Sequence, residues 1–472
     1  MTGMVTYLMP IETTVRELDY KLLLAARLKA PNRRFIFCRD DLAPQLLGVV
    51  SRGIYIGQNI RSRAGAATTA ERYRRLRSAG FRLIHLDEEG AVYPGQEPEW
   101  AYWVRQRMGD LPYARPDTIC TWGRFQAAIL NAQPSTESVR IAQTGHPRFD
   151  LCGAFLGAYR DEIAAIRRKY GEYCLINTNF GAGNSVLGTK EFFSNVEGYQ
   201  PHDSGRRLAW VREWRTSACG PPLFIGLIHE ICGEFSEMQF VVRPHPSEDH
   251  DLYRAATRGL RNVTVDATGS VIAMAAASRA MIHNGCTTAI EGHLAGARVL
   301  CYCPPEIGRG STWIASIFGS ECTSAEEIRD ALRSQTVREA KAPDSHAADS
   351  LRAAGLIEQL RPDYPPGESL ERFCALAVEL EGSLDSTSPQ FSRQVVRALA
   401  LKHAIRARIA GHVEGVKRII RNPGRIGIAR RNAQKFFGFT RPELEGRAAA
   451  LGRVFGREMS VEVLSPTLAI IE

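Results

Sequence analysis

No run of ~18 or more apolar residues occurs in the 472-residue chain, so no membrane-crossing helix is expected. The opening residues, MTGMVTYLMPIETTVRELDY, have no basic region ahead of their apolar stretch and meet acids early. A secretory leader is therefore not expected. No Cys-x-x-Cys pair is found among the 11 cysteines, whose number is odd and whose positions are scattered. Free thiols in a reducing cytoplasm are expected, and zinc is not. Internal repeats and long low-complexity segments are missing too, so no solenoid or disordered tail is implied. Aromatic residues are sparse at 8%, but hydrophobic residues reach 44% and charged residues 24%, an ordinary globular balance. At about 150 residues per domain, the length implies two or three domains.

Positive charge is in modest excess, with 60 Lys plus Arg against 51 Asp plus Glu, net +9. It is concentrated. Residues 402–441 hold eleven Lys or Arg and one acid, Glu414, so that segment carries +10 and the remaining chain −1. Ile405, Ile409, Val413, Val416, Ile419 and Ile420 recur there at helical spacing, Pro423-Gly424 interrupts, and Phe436, Phe437 and Phe439 follow. Such a stretch suits an anionic membrane surface, at about 1 kcal/mol per Lys or Arg. A basic helix packed on the body through its Ile and Val face fits the same residues. Nucleic acid is not expected as a partner, because no binding motif or further basic patch accompanies the segment.

Along the chain, strand-like and helix-like runs alternate, which implies parallel sheets with crossover helices. Residues 5–9, 34–38, 81–86, 118–121 and 140–142 read as strands, with apolar runs at 46–50 and 53–56 between them. Helices are expected around 18–26 and 68–79. After a helix over 158–170, a second series opens with strands at 173–177, 240–243, 262–265, 280–283 and 298–302. Residues 184–222 have poor periodicity and several Gly and Pro, and read as an insertion or mobile loop. From about residue 369 the pattern is mostly helical. The expected organisation is a first Rossmann-like domain over 1–155, a second over 156–368 and a helical, basic extension over 369–472. In such doubly wound halves, ligands lie beyond the C-terminal strand ends. Chemistry is therefore sought just after strands.

Three segments stand there. His283-Asn284-Gly285-Cys286-Thr287-Thr288-Ala289-Ile290-Glu291 runs from a strand through a small-residue turn into a helix. Free N–H groups of that helix start, with the Thr287 and Thr288 hydroxyls, would hold a phosphate, and Glu291 could accept from a ribose diol. An ordinary N-cap is the bland alternative. In Arg243-Pro244-His245-Pro246, two prolines restrict a loop around one histidine. His245 could donate to a phosphate oxygen and Arg243 reinforce it; a surface turn is the alternative. Asp87-Glu88-Glu89-Gly90 places three acids together, raising the pKa of at least one, and a carboxylate there could deprotonate an acceptor hydroxyl. Glu12, Arg16, Glu17 and Asp19 either line the acceptor side or form the polar face of the first helix. Asn177, Asn179 and Gly181 sit where a donor would approach. His146-Pro147 reads as a linker or cleft-edge element, and Cys301-Tyr302-Cys303 as core. An essential divalent ion is not expected; the helix start, hydroxyls and His or Arg would stabilise the leaving group instead.

The pattern resembles the GT-B-fold bacterial transferases that use CMP-activated acidic sugars: sialyltransferases, polysialyltransferases and capsule Kdo transferases. Leu8-Met9-Pro10-Ile11-Glu12, the DEEG segment and Gly145-His146-Pro147-Arg148-Phe149-Asp150 also resemble surface carbohydrate biosynthesis proteins. The resemblance covers roughly residues 5–310. It implies two Rossmann-like domains facing a cleft and metal-independent transfer from a nucleotide-sugar donor to a glycan or lipid-linked glycan acceptor. By motif, Glu88-Glu89-Gly90 would supply the activating carboxylate, His245-Pro246 would contact the CMP phosphate, and Thr287 with Thr288 would hold it too. No cofactor beyond the donor substrate is implied. A cytoplasmic enzyme at the inner membrane face is expected, held there through residues 402–441. The fold keeps three alternatives open. These are a UDP-sugar transferase or 2-epimerase, a CDP-glycerol-type polyol-phosphate transferase, and a non-catalytic scaffold.

Overall fold

The computed structural model describes residues 3–62, 66–90, 97–194, 199, 201–308, 313–334, 367–385, 390–418 and 424–472. The first half is a parallel sheet of β1 (Val5–Ile11), β2 (Arg33–Arg39), β3 (Gly53–Ile56), β4 (Phe81–Leu86), β5 (Thr118–Thr121) and β6 (Arg140–Gln143), ordered β2-β1-β3-β4-β5-β6. All seven positions of β1 are buried. That is why it reads as a continuous apolar run rather than an alternating one. The second half is wholly parallel, with β7 (Tyr173–Asn177), β8 (Gln239–Arg243), β9 (Val263–Val265), β10 (Ala280–His283), β11 (Val299–Tyr302) and β12 (Ser320–Cys322) in the order β12-β11-β10-β7-β8-β9. Strand order reverses at β1/β3 in one half and at β7/β10 in the other. Ligands collect at such switch points.

The halves are not packed separately. Leu18 and Leu22 of the helix Thr14–Leu28 share a core with Val271, Ile272 and Ile290 of the second half. The two Rossmann-like halves expected from the sequence are thus present and joined by apolar contact.

Three segments differ from expectation. The apolar run 46–50 forms no strand: a short helix, Ala43–Leu46, runs into turns, and only Gly53–Ile56 joins the sheet. Residues 204–222 are not a loop, because one helix spans Ser204–Cys232 through Pro221 and Pro222. Prolines inside a helix remove hydrogen bonds and read as breakers. Here Phe224, Leu227, Ile228 and Ile231 anchor the helix in the second core. Gly220 lets it press on the Phe180 ring, which an added Cβ would meet at 2.2 Å.

The third difference is the C-terminal segment. Helices Glu368–Glu381, Arg393–Arg418, Gly424–Lys435 and Arg441–Val454 are present as expected. The chain then closes in a hairpin, β13 (Val461–Ser465) and β14 (Leu468–Ile471), and β14 pairs antiparallel with β2. The expected helical extension is thus present, with an added strand pair that completes the first sheet. Leu468 and Ile470 enter the same core as Ile36 and Cys38, so β14 covers the β2 edge and β13 becomes the edge of the sheet. Leu468→Ala should lower stability by about 2–5 kcal/mol, read from the urea midpoint. A loss under ~1 kcal/mol would mean the hairpin is loosely attached.

Candidate functional site

Beyond β4, Asp87, Glu88 and Glu89 take different environments. Glu88 is buried at about 1% side-chain exposure. The Tyr20 hydroxyl donates to its Oε1 at 2.5 Å, and His146 Nε2 lies 3.3 Å from its Oε2. Arg16 Nε stands 3.9 Å away. Burial alone pushes the Glu88 carboxyl up, but the His146 hydrogen bond and the Lys21 and Arg16 charges outweigh it and hold it below the carboxylate range. A charged His146 would add to this, yet burial pulls that imidazole down to about 4. The neutral form fits the contacts. Nδ1 accepts from the Arg148 amide at 3.1 Å, so the proton sits on Nε2 and is donated to Glu88.

Glu89 is the accessible carboxylate, with 44% of its side chain exposed. Arg16 Nη1 donates to it at 3.1 Å, and Arg107 donates to its other oxygen. Arg107 also reaches Asp87 at 3.4 Å and the Glu89 carbonyl at 3.3 Å. Glu17, expected on the acceptor side, is instead occupied locally. It accepts from the Thr13 amide at 2.9 Å and the Glu12 amide at 3.3 Å, and pairs with buried Lys21 at 2.9 Å. It caps the first helix. Glu12 meets Lys435 at 2.5 Å.

In the second half, His245 sits in a fixed loop. Its Nδ1 lies 2.7 Å from Ser247 Oγ and accepts from the Ser247 amide at 3.2 Å. Beneath, buried Glu248 accepts from the His245 amide (3.0 Å), the Thr178 hydroxyl (2.7 Å) and the Tyr253 hydroxyl (2.6 Å). Burial lowers the His245 imidazole to about 4; Lys435, Arg16 and Arg431 push the same way, and Glu89 opposes them. Groups from both halves therefore surround the ring. Nε2, which forms no hydrogen bond among the described residues, carries the proton and can donate.

A pocket of about 240 Å³ opens beside this loop, lined by Asn179, Gly181, Ser247, Asn284, Gly285 and Arg431. Gly181 is required there, since a Cβ would stand 2.2 Å from Ser247 Oγ. Asn284 is held by donating to the Tyr302 and Gly308 carbonyls, each at 2.8 Å. Asn177 donates to Thr288 Oγ1 at 2.9 Å, and its Oδ1 is buried without a partner among the described residues. Thr287 stands at the N-cap of the helix Thr288–Leu294 with no side-chain cap bond. Glu291 is buried 3.3 Å from Arg148 Nε, linking the halves. Burial pushes its carboxyl up against the Arg148, Arg16 and Arg243 charges.

Arg243 does not reinforce His245. Its guanidinium donates to the Thr268 and Gly269 carbonyls at 2.6 and 2.9 Å, tying down the loop after β9. An Asp-x-Asp spacing occurs at Asp249 and Asp251. Asp249 caps the helix His250–Ala256, and both acids pair with Arg430. Among the described residues no three His, Cys, Asp or Glu side chains gather as metal ligands.

Sequence reasoning missed Tyr20, Arg107, Glu248 and the depth of His146. Only the fold brings them to the acids and the His-Pro loop. Of the basic segment, residues 419–423 lie outside the described residues, as do the side chains of 407–429. Phe436 and Phe439 are buried against each other at 5.1 Å, whereas Phe437 is exposed. Among the described residues no helix is long and apolar enough to cross a membrane.

No family model matches the chain, and no curated protein matches it. Among solved structures, it is similar to a variant of the wall teichoic acid polymerase TagF at 10% identity and TM-score 0.47, covering 81% of this chain and 90% of that one. It is also similar to the S. aureus MnaA–UDP co-structure, at 11% identity and TM-score 0.42 over 83% of this chain and all of that one. UDP-GlcNAc 2-epimerase from Neisseria meningitidis, bound to UDP-GlcNAc, gives 9% identity and TM-score 0.42 over 79% of this chain and all of that one. Likeness at this level carries no function across.

Acid should expose the buried imidazoles. Burial lowers His85 and His146 to about 4 and His283 to about 3. His283 has no hydrogen-bond partner on either ring nitrogen among the described residues. The unfolded chain binds protons at these groups from about pH 6.5 downward and the folded chain does not, so stability falls as pH drops toward 4. Each contributes on the order of 3 kcal/mol across that window. Urea midpoints at pH 7 and 5 should show the loss, and His283→Leu should flatten it. An unchanged slope would mean His283 is not held neutral.

Proposed function

We propose that the chain is a glycosyltransferase of surface glycan biosynthesis that moves an acidic sugar, of nonulosonic-acid or Kdo type, from a CMP-activated donor to a glycan acceptor. One observation carries the reading. Glu89 with Arg16 on the first half meets the neutral donor His245 on the second, beside a pocket at the β7/β10 switch point. Glu89, not Glu88, takes the acceptor proton, because Glu88 is buried whereas 44% of the Glu89 side chain is exposed. As the acceptor oxygen bonds the anomeric carbon, the bond to the CMP phosphate breaks. His245 Nε2–H donates to the departing phosphate oxygen. Glu88 is a positioning residue. Transfer without a metal would leave activity unchanged in EDTA. The cytoplasmic membrane face is the proposed location, with exposed Lys402, Ile405 and Arg406 toward anionic lipid.

His245→Ala should cut turnover by about 10²–10³ with the fold intact. Glu89→Gln should cut it by about 10²–10⁴. Near-normal turnover in either variant overturns its assigned role. Thermal shift tests the donor: a nucleotide at ~100 times its dissociation constant adds about 2.7 kcal/mol to the folded state. Selective stabilisation by CMP supports the reading. UDP would replace it with a UDP-sugar transferase or epimerase, CDP with polyol-phosphate transfer. No response to any nucleotide would favour a scaffold.

A further inference from the structure

The helix Ser204–Cys232 has two unlike ends. Its second half is anchored in the core through Phe224, Leu227, Ile228 and Ile231. Its first turns sort their residues by side. At 3.6 residues per turn, Arg207, Leu208, Val211, Arg212 and Arg215 fall within about 140° of the helix circumference. All five are exposed, Leu208 at 52% and Val211 at 40%. The opposite side packs inward. Trp210 stacks on Phe192 with ring centroids 4.9 Å apart, and its Nε1 donates to the Phe192 carbonyl at 2.7 Å. Trp214 meets Phe193 at 5.6 Å. Glu213 and Ser217, on that inner side, line the pocket beside the His245 loop.

The outer stripe interleaves three arginines with two aliphatic side chains. Arg207 is tied to the helix start, donating to the Pro201 carbonyl at 2.9 Å. Arg212 and Arg215 have no hydrogen bond or ion pair among the described residues. Glu213, the one acid between positions 207 and 215, turns to the pocket side. The aromatic stacks account for the inner side, and nothing in the fold accounts for the outer one. Unpaired exposed cations favour an anionic partner. Leu208 and Val211 among them narrow its kind. A nucleic-acid backbone offers phosphate charge but no apolar layer for aliphatic chains to enter. An anionic bilayer offers both, headgroup charge at its surface and an acyl boundary about 5–10 Å deep.

We infer that Arg207, Leu208, Val211, Arg212 and Arg215 form a docking surface for an anionic lipid bilayer. The arginines meet headgroup phosphates, and Leu208 and Val211 enter between the headgroups. The inference rests on the reading of the chain as a transferase at a membrane face and names a surface that meets the lipid. This surface lies outside the basic segment 402–441. A helix with its side chains is about 10 Å across. Docking by the outer stripe therefore holds the pocket on the inner side about one helix width from the headgroups, within reach of a lipid-linked acceptor.

The test is co-sedimentation of the full chain with vesicles of phosphatidylglycerol and phosphatidylcholine, and with vesicles of phosphatidylcholine alone. Two double variants alter the stripe: Arg212→Glu with Arg215→Glu, and Leu208→Ser with Val211→Ser. A third, Leu401→Ser with Ile405→Ser, alters the basic segment instead. Melting temperatures should not change in the stripe variants, because all four side chains are exposed. The unaltered chain should bind the anionic vesicles and not the neutral ones, and added salt should weaken that binding. Each stripe variant should lower the partition by about tenfold or more. Such losses in both support the inference, whatever the third variant does. Loss in the arginine pair alone overturns the bilayer assignment, since any anionic surface would give it. Unchanged binding in both stripe variants overturns the inference, and a loss in the third variant would then keep the membrane location. Failure of the unaltered chain to bind anionic vesicles overturns the inference and the location together, and leaves the transfer reaction, tested by His245→Ala, standing.

Discussion

The buried carboxylate of Glu88 is the constraint on which the cleft depends. Taking an ion out of water costs several kcal/mol unless it is paired and hydrogen-bonded. Glu88 meets that demand with groups from separate places: Tyr20 and Arg16 from the first helix, and His146 from the junction between the halves. Its backbone N–H adds a fourth tie, donating to Gln58 Oε1 at 3.2 Å. Each partner is fixed in turn. Lys21 and Glu17 pair without exposure to solvent, and His146 caps the helix Pro147–Asp150. With Glu88 pinned, the next residue has little choice of direction. Glu89 is presented outward, between Arg16 and Arg107. The buried acid is the anchor and its neighbour is the one on display.

A similar logic holds the other wall. Glu248 is buried with acceptor contacts to an amide and two hydroxyls, and burial pushes its carboxyl up. It lies three residues after His245 and fixes the backbone that carries the ring. In both halves a hidden acid sets the position of a less buried functional group at the cleft. The halves are joined by a common apolar core, to which Leu18 and Leu22 contribute from one half and Val271, Ile272 and Ile290 from the other, and by Arg148 against Glu291.

Much of this frame was legible. Parallel strands buried on both faces read as apolar runs, so β1, β4, β7, β8 and β10 stand out in the sequence. Doubly wound sheets put ligand groups just after strands, which points to Glu88-Glu89, His245 and Asn284-Gly285. What could not be read was which acid is buried. Glu88 and Glu89 are chemically alike, and their separation depends on Tyr20, 68 residues away, and on His146, 58 residues away. Arg243 was misjudged for a similar reason: adjacency to His245 in sequence says nothing about the carbonyls that engage it. The helix through Pro221 and Pro222 was hidden because local propensity opposed it and tertiary packing won. The closing hairpin was hidden because its strands are short and follow a long helical stretch.

The basic segment shows how charge composition can mislead. Eleven cations against one acid invite a partner outside the molecule. Within the fold, Arg430 and Lys435 find acids on opposite halves. Arginines near β1 and β4 are neutralised by the acids that build the acceptor side, and the neutral His245 brings a hydrogen bond without a charge. Cations on a separate helix, ion-paired to Asp249 and Asp251 of one half and to Glu12 of the other, instead act within the molecule by tying the two halves together.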